Sequence, residues 1–130
     1  HLFEGESGKN VQVASLMQVM TDQKLIEDSN YVKVAVNKNM DALLFSRSVI
    51  PHHRDKQATP VYYEHIGVYA FRKQALMDFT SWPITPLEAV EKIECLRYLE
   101  NGIPIKMAVT DYMVIEIDTP EDLIRASKFL

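Results

Sequence analysis

The segment Tyr62–Phe71 constrains the fold more than any other part of the chain, because its side chains alternate in type over ten residues. Successive residues of a β-strand point to opposite faces of a sheet. The pattern therefore predicts a strand whose core face carries Ile66, Val68 and Ala70. The other face combines aromatic side chains with His65 and Gly67. A glycine inside a strand often marks the close approach of a ligand or of another backbone.

Other segments alternate between strand and helix patterns. Two apolar runs separated by the turn-forming residues 37–41 predict a β-hairpin over residues 31–46. Weaker patterns predict strands at residues 11–16 and 105–109, and short helices at residues 22–28 and 73–80. This interleaving of strands and helices is typical of the α/β class.

Two helices are predicted from their first residues. The sequence Thr85-Pro86-Leu87-Glu88 combines an N-cap threonine, a proline at the first helical position and the glutamate of a capping box. We expect this helix to run to about Glu100, and three-residue spacing predicts a core face made of Leu87, Val90, Ile93 and Leu96. The same arrangement begins at Thr119 and predicts a helix through Phe129.

The composition excludes several functional classes. The 130 residues carry 14 Lys and Arg against 18 Asp and Glu, a net charge of −4, so the basic surface of a general nucleic-acid binder is missing. No apolar run approaches the ~20 residues that span a bilayer. Because Cys95 is the one cysteine, no intrachain disulfide can form, and we expect a cytoplasmic location. Residues 1–10 show no periodicity and are interpreted as a disordered lead-in or a remnant of cloning, which leaves residues 11–130 as the domain.

Candidate site residues come from three parts of the chain. Asp118 follows an apolar segment and precedes a helix start, where a carboxylate either holds a cation such as Mg²⁺ or serves only as a capping residue. Arg47 and Arg54 flank a proline-containing loop and either bind an anionic substrate or are solvated. His65 is a hydrogen-bonded strand residue or a ligand contact. Glu94 is spaced to pair with Arg97 on the helix surface.

Metal and nucleophile chemistry is otherwise weakly indicated. The adjacent histidines His52 and His53 do not have the spacing of a zinc site. Cys95 has no basic neighbours in sequence and is expected to be a buried, inert thiol. Nucleophilic triads, P-loops and glycine-rich dinucleotide turns are all missing. These residues alone therefore predict an α/β domain with one face suited to an anion and a metal.

Several motifs nevertheless occur together and in a specific order. They are Ser46-Arg47 with Ile50-Pro51 and Arg54, His65-Ile66-Gly67-Val68-Tyr69 followed by Arg72, Thr85-Pro86-Leu87-Glu88, Glu94-Cys95-Leu96-Arg97, and Asp118-Thr119-Pro120-Glu121-Asp122-Leu123. From about Val11 onward, this series resembles the C-terminal half of the 3-deoxy-manno-octulosonate cytidylyltransferase (CMP-Kdo synthetase) family.

The resemblance implies a mixed sheet with flanking helices, as the C-terminal part of a nucleotide-diphospho-sugar transferase-like, Rossmann-like fold. Such enzymes couple CTP to the acidic sugar Kdo for lipopolysaccharide synthesis and release pyrophosphate, usually as homodimers that use Mg²⁺ and no organic cofactor. The resemblance assigns Asp118 to the metal and to catalysis. It assigns Arg47 and Arg54 to the sugar carboxylate, and His65, Tyr69 and Glu94 to the sugar pocket.

The chain departs from the family in two ways that leave alternatives open. Cys95 stands where the family usually has glutamine, which leaves room for a sialic-acid-like nonulosonate as the sugar. Nothing in residues 1–10 resembles the family's upstream nucleotide-binding half. We therefore expect a fragment without appreciable transferase activity by itself. The alternative from another class is a non-catalytic α/β binding or assembly module.

Overall fold

The computed structural model describes residues 11–110 of the chain, in which a five-stranded sheet is flanked by four short helices. In chain order the elements are β1 (Val13–Met20), α1 (Gln23–Glu27), β2 (Lys33–Val36), β3 (Ala42–Ser46), β4 (Tyr62–Phe71), α2 (Lys73–Ser81), α3 (Pro86–Glu91), α4 (Leu96–Glu100) and β5 (Ile105–Val109). The α/β prediction is confirmed. The predicted lead-in and the helix beginning at Thr119 lie outside the described residues.

The sheet is mixed, with the strand order β3-β2-β4-β1-β5. Strands β1 and β5 are parallel, and the other neighbouring pairs are antiparallel. The predicted hairpin is confirmed as β2 and β3. Its turn is held by the Asn37 side chain, which accepts hydrogen bonds from the backbone N–H groups of Asn39 and Asp41.

The predicted core face of β4 is wrong for two of its three residues. Ile66 is buried, but Val68 is 52% exposed and Ala70 is also exposed. The main core lies on the opposite face of the sheet, where Tyr63 and Tyr69 pack against buried residues of β1, β3, β5 and the helices. Alternation tells which side chains share a face, but the position of the helices decides which face is covered.

The helix predicted from Thr85 to Glu100 is two helices, α3 and α4. Lys92 ends α3 in the left-handed region, with φ 60° and ψ 44°, so the three-residue spacing does not continue onto one face. Leu87 is consequently exposed and Val90 is 83% exposed, whereas Ile93 and Leu96 are buried as predicted. The predicted start is confirmed, with Pro86 at the beginning of α3 and Glu88 accepting a hydrogen bond from the Thr85 N–H.

The break between α3 and α4 is stabilised by a partly buried ion pair. Nη2 of Arg97 lies 2.6 Å from Oε2 of Glu88, and its Nε lies 2.7 Å from Oε1. The guanidinium also lies over the Phe79 ring, 4.1 Å from its centroid. The predicted Glu94–Arg97 pair is therefore wrong, because the Arg97 guanidinium pairs with Glu88 instead.

Within residues 11–110, no helix has the length and apolar character needed to cross a membrane.

Candidate functional site

A cleft of about 260 Å³ opens between the segment that precedes β2, the middle of β4 and the connection from α3 to α4. Its lining comes from residues 30–32, 64–65, 67, 69 and 92–94. The cleft brings together three of the sequence-predicted site residues, His65, Tyr69 and Glu94. The glycine of β4, Gly67, also borders it, as expected for a strand position open to a ligand.

His65 is held by a hydrogen bond and by aromatic packing. Its Nε2 lies 2.9 Å from Oγ of Ser15. Its ring centroid is 4.8 Å from that of Phe45 and 5.4 Å from that of Tyr69. Burial lowers the pKa of His65 to about 4, because the imidazolium loses hydration that the surroundings do not replace. The imidazole is therefore neutral at physiological pH.

Tyr69 connects the cleft to the core below it. Its ring stacks on Phe71 with centroids 5.4 Å apart, and its hydroxyl lies close to the Cys95 thiol. Burial raises the pKa of the Tyr69 hydroxyl, so the phenol stays protonated. The prediction that Cys95 is buried is confirmed, and burial raises the pKa of its thiol to about 12. Cys95 is buried and is not among the residues that line the cleft within residues 11–110.

Charged side chains surround the opening of the cleft. Glu94 is exposed beside Lys92, and Glu64 lies on β4, where its Oε1 accepts a hydrogen bond from Gln18. Both Lys92 and Glu94 belong to the short connection that the left-handed turn at Lys92 creates. Among the described residues, the opening thus offers one cation and two carboxylates to a polar ligand.

The two predicted arginines do not line the cleft. The Arg47 guanidinium donates from Nε to the Glu91 carbonyl at 2.8 Å and from Nη1 to the Ser29 carbonyl at 3.1 Å, with a longer contact from Nη2 to Lys92 O. It therefore ties together two segments that border the cleft. Arg54 is exposed in the loop between β3 and β4.

A metal site is not formed by the part of the chain that the structure describes, where no three His, Cys, Asp or Glu side chains are grouped closely enough to hold an ion. His52 and His53 lie in the loop between β3 and β4. Asp118, the predicted metal ligand and catalytic residue, lies outside the described residues.

Several residues of the site were not assigned to it by sequence reasoning, among them Ser15, Glu64 and Lys92. Ser15 is buried within β1 and bonded to His65. A polar residue on the inward face of an otherwise apolar strand is a signal that could have indicated it. Lys92 and Glu64 carried no such signal, because their place at the cleft depends on the helix break and on the strand order.

Comparison with known proteins places these features in a family. A model described as cytidylyltransferase matches residues 3–109. The 3-deoxy-manno-octulosonate cytidylyltransferases of Flavobacterium johnsoniae and Christiangramia forsetii are 52% and 50% identical to this chain over 129 residues. Each match covers 99% of this chain, but 53% and 52% of the respective relative. The chain thus spans about half the length of the curated relatives it matches.

A solved structure agrees with the sequence relatives. The structure of CMP:2-keto-3-deoxy-manno-octonic acid synthetase complexed with CTP superimposes with a TM-score of 0.86 at 31% identity, over 93% of this chain and 49% of that one. The fold is therefore the α/β fold of a nucleotide-sugar transferase. Together with the family match over residues 3–109, these similarities show that the chain belongs to the cytidylyltransferase family.

Proposed function

We propose that this chain is the sugar-binding part of a cytidylyltransferase that converts CTP and Kdo to CMP-Kdo and pyrophosphate. The observation that carries the proposal is the cleft in which His65, Tyr69 and Glu94 meet, on a chain about half identical to 3-deoxy-manno-octulosonate cytidylyltransferases. A solved relative binds CTP, which supports CTP as the nucleotide.

The cleft residues have complementary chemistry. The Tyr69 ring borders the cleft as an apolar surface, and the Glu94 carboxylate would accept hydrogen bonds from sugar hydroxyls. Lys92 supplies an ammonium group at the opening that would pair directly with the carboxylate of an acidic sugar. Arg54, exposed in the loop between β3 and β4, would pair with the sugar carboxylate. Arg47 would act indirectly, by holding the cleft-bordering segments together through its carbonyl contacts.

The proposal includes Mg²⁺ with Asp118 as a ligand, a homodimer and a cytoplasmic location. When bound, Mg²⁺ would neutralise charge on the triphosphate. We expect Asp118→Ala to abolish pyrophosphate release from the chain extended upstream along its own reading frame, whereas Asp55→Ala, in the exposed loop between β3 and β4, should leave it unchanged. Release that persists in Asp118→Ala would contradict the assignment.

Pyrophosphate release from CTP, Kdo and Mg²⁺ tests the function directly. The assay compares this chain with the version extended upstream, and we expect activity only in the extended version. Activity with N-acetylneuraminate but not with Kdo would contradict the proposed sugar. Turnover by the 130-residue chain without the extension would contradict the proposal that this chain is only the sugar-binding part.

The role of Glu94 can be measured in the same assay. Glu94→Gln should raise KM for Kdo about 10- to 100-fold with little effect on KM for CTP, because hydrogen bonds to charged groups contribute about 1.5–3 kcal/mol. Glu27→Gln is the matched control, since Glu27 is an exposed glutamate on α1 outside the cleft. Equal changes in the two variants would show that Glu94 does not contact the sugar.

A further inference from the structure

Ser15 occupies an irregularity in the pairing of β1 with β4. Ser15 pairs with Tyr69, but the next residue of β1 pairs with Ile66, so two residues of β4 have no partner in β1. The Ser15 hydroxyl fills this bulge. Its Oγ lies 2.8 Å from the Val68 carbonyl oxygen, 3.2 Å from that of Ile66 and 2.9 Å from Nε2 of His65.

The number of protons decides the direction of these hydrogen bonds. A serine hydroxyl has one proton and two lone pairs, and a carbonyl oxygen can only accept. With its proton directed to a carbonyl of the bulge, Oγ can only accept from His65. The proton of the imidazole must then be on Nε2. If Ser15 instead donated its proton to His65, neither carbonyl of the bulge would receive a hydrogen bond from Ser15. This would be costly, because Ser15 is only 2% exposed and the site is buried.

Aromatic packing restricts the orientation of the imidazole ring. Phe45 and Tyr69 contact it with tilted and edge-on rings, at centroid distances of 4.8 Å and 5.4 Å. Because burial keeps His65 neutral, its second nitrogen, Nδ1, carries a lone pair rather than a proton. Within residues 11–110, Nδ1 has no hydrogen-bond partner, and the ring borders the cleft.

We propose that Ser15 is a positioning residue that holds His65 in the Nε2–H tautomer, so that Nδ1 accepts a hydrogen bond from a hydroxyl of the ligand in the cleft. The identity of that ligand, a sugar acid with several hydroxyls, rests on the proposed function. A carboxylate of the ligand could not form this hydrogen bond, because it has no proton to donate to the lone pair on Nδ1 of His65. Glu64, Lys92 and Glu94 are the charged side chains that line the same cleft.

Nitrogen NMR of the chain, labelled with ¹⁵N in its histidine rings, tests the tautomer without any assumption about function. His65 is assigned from the signal lost in His65→Gln. We expect the shift of a protonated nitrogen at Nε2 and of a bare nitrogen at Nδ1. Ser15→Ala should raise the fraction of the Nδ1–H tautomer, and Ser15→Thr, which keeps the hydroxyl, should restore the original state.

Ser46→Ala is the matched control, because Ser46 is another buried strand serine, whose hydroxyl contacts Glu91 instead of a histidine. It should leave the His65 signals unchanged. A bare Nε2 in the unsubstituted chain would overturn the proposal even if Ser15→Ala did not fold. An unchanged tautomer in folded Ser15→Ala would also overturn it.

The ligand contact is tested in the extended chain with Kdo as the probe. Ser15→Ala should raise KM for Kdo about 5-fold with kcat nearly unchanged, the loss expected for about one hydrogen bond. An unchanged KM would overturn the contact with the ligand. A complete lack of turnover with Kdo in the unsubstituted extended chain would instead contradict the proposed function, while the NMR spectrum would still decide the tautomer.

Discussion

Replacing Tyr98 with alanine should lower the free energy of unfolding by about 3–5 kcal/mol, the range found when large aromatic side chains are removed from a core. Tyr98 is 2% exposed, and its ring lies 5.0 Å from Phe79, 5.8 Å from Trp82 and 5.9 Å from Phe71 between centroids. Its hydroxyl donates to the Ala75 carbonyl at 2.9 Å. Urea denaturation followed by circular dichroism measures the change.

Two further variants make this prediction specific. Tyr98→Phe should cost about 1 kcal/mol, because it removes one buried hydrogen bond and keeps the ring. Val90→Ala should change stability by less than about 0.5 kcal/mol, since an exposed side chain loses little packing. A loss of 2 kcal/mol or more in Val90→Ala would mean that α3 and α4 form one continuous helix with Val90 in the core.

Acid should destabilise the protein through His65, by about 3 kcal/mol between pH 6.5 and pH 4. In the folded state, burial lowers the pKa of His65 from 6.5 to about 4. As the pH falls through this window, the unfolded chain takes up a proton that the folded chain does not, so the unfolded state is favoured. Each pKa unit corresponds to about 1.4 kcal/mol. The penalty on the folded state is negligible well above pH 6.5, grows as the pH falls below 6.5 and approaches its full size near pH 4.

Comparison of variants separates this effect from the titration of carboxylates. Urea denaturation at a series of pH values should show a smaller loss of stability with acid for His65→Gln than for the unsubstituted chain. His52→Gln, in an exposed loop, should behave as the unsubstituted chain does. If His65→Gln and the unsubstituted chain lose stability equally, His65 is not the group that resists protonation.

The local features of the fold could be predicted because neighbouring residues determine them. Alternation over Tyr62–Phe71 is confirmed as β4, and the turn chemistry of residues 37–41 is confirmed as the β2–β3 hairpin. The start of α3 at Pro86 is likewise confirmed. Each depends on backbone preferences and hydrogen bonds within a few residues, which the sequence displays directly.

Burial could not be predicted in the same way. Val68 and Val90 are as apolar as any core residue, yet both are exposed. Conversely, Glu88 is buried because Arg97 folds back across the helix break to meet it. These outcomes depend on which face of the sheet the helices cover and on the left-handed residue Lys92. A local pattern contains neither.

In the candidate site too, some features follow from local sequence and others depend on contacts between distant segments. The sequence alone predicts the strand that carries His65 and Tyr69, and the family resemblance links both residues with Glu94. The folded structure adds that these three residues share a cleft, that Arg47 donates to backbone carbonyls, and that Ser15 hydrogen-bonds with the imidazole. The physical reason is that hydrogen-bond partners and burial arise between segments distant in sequence, here 50 residues apart for Ser15 and His65.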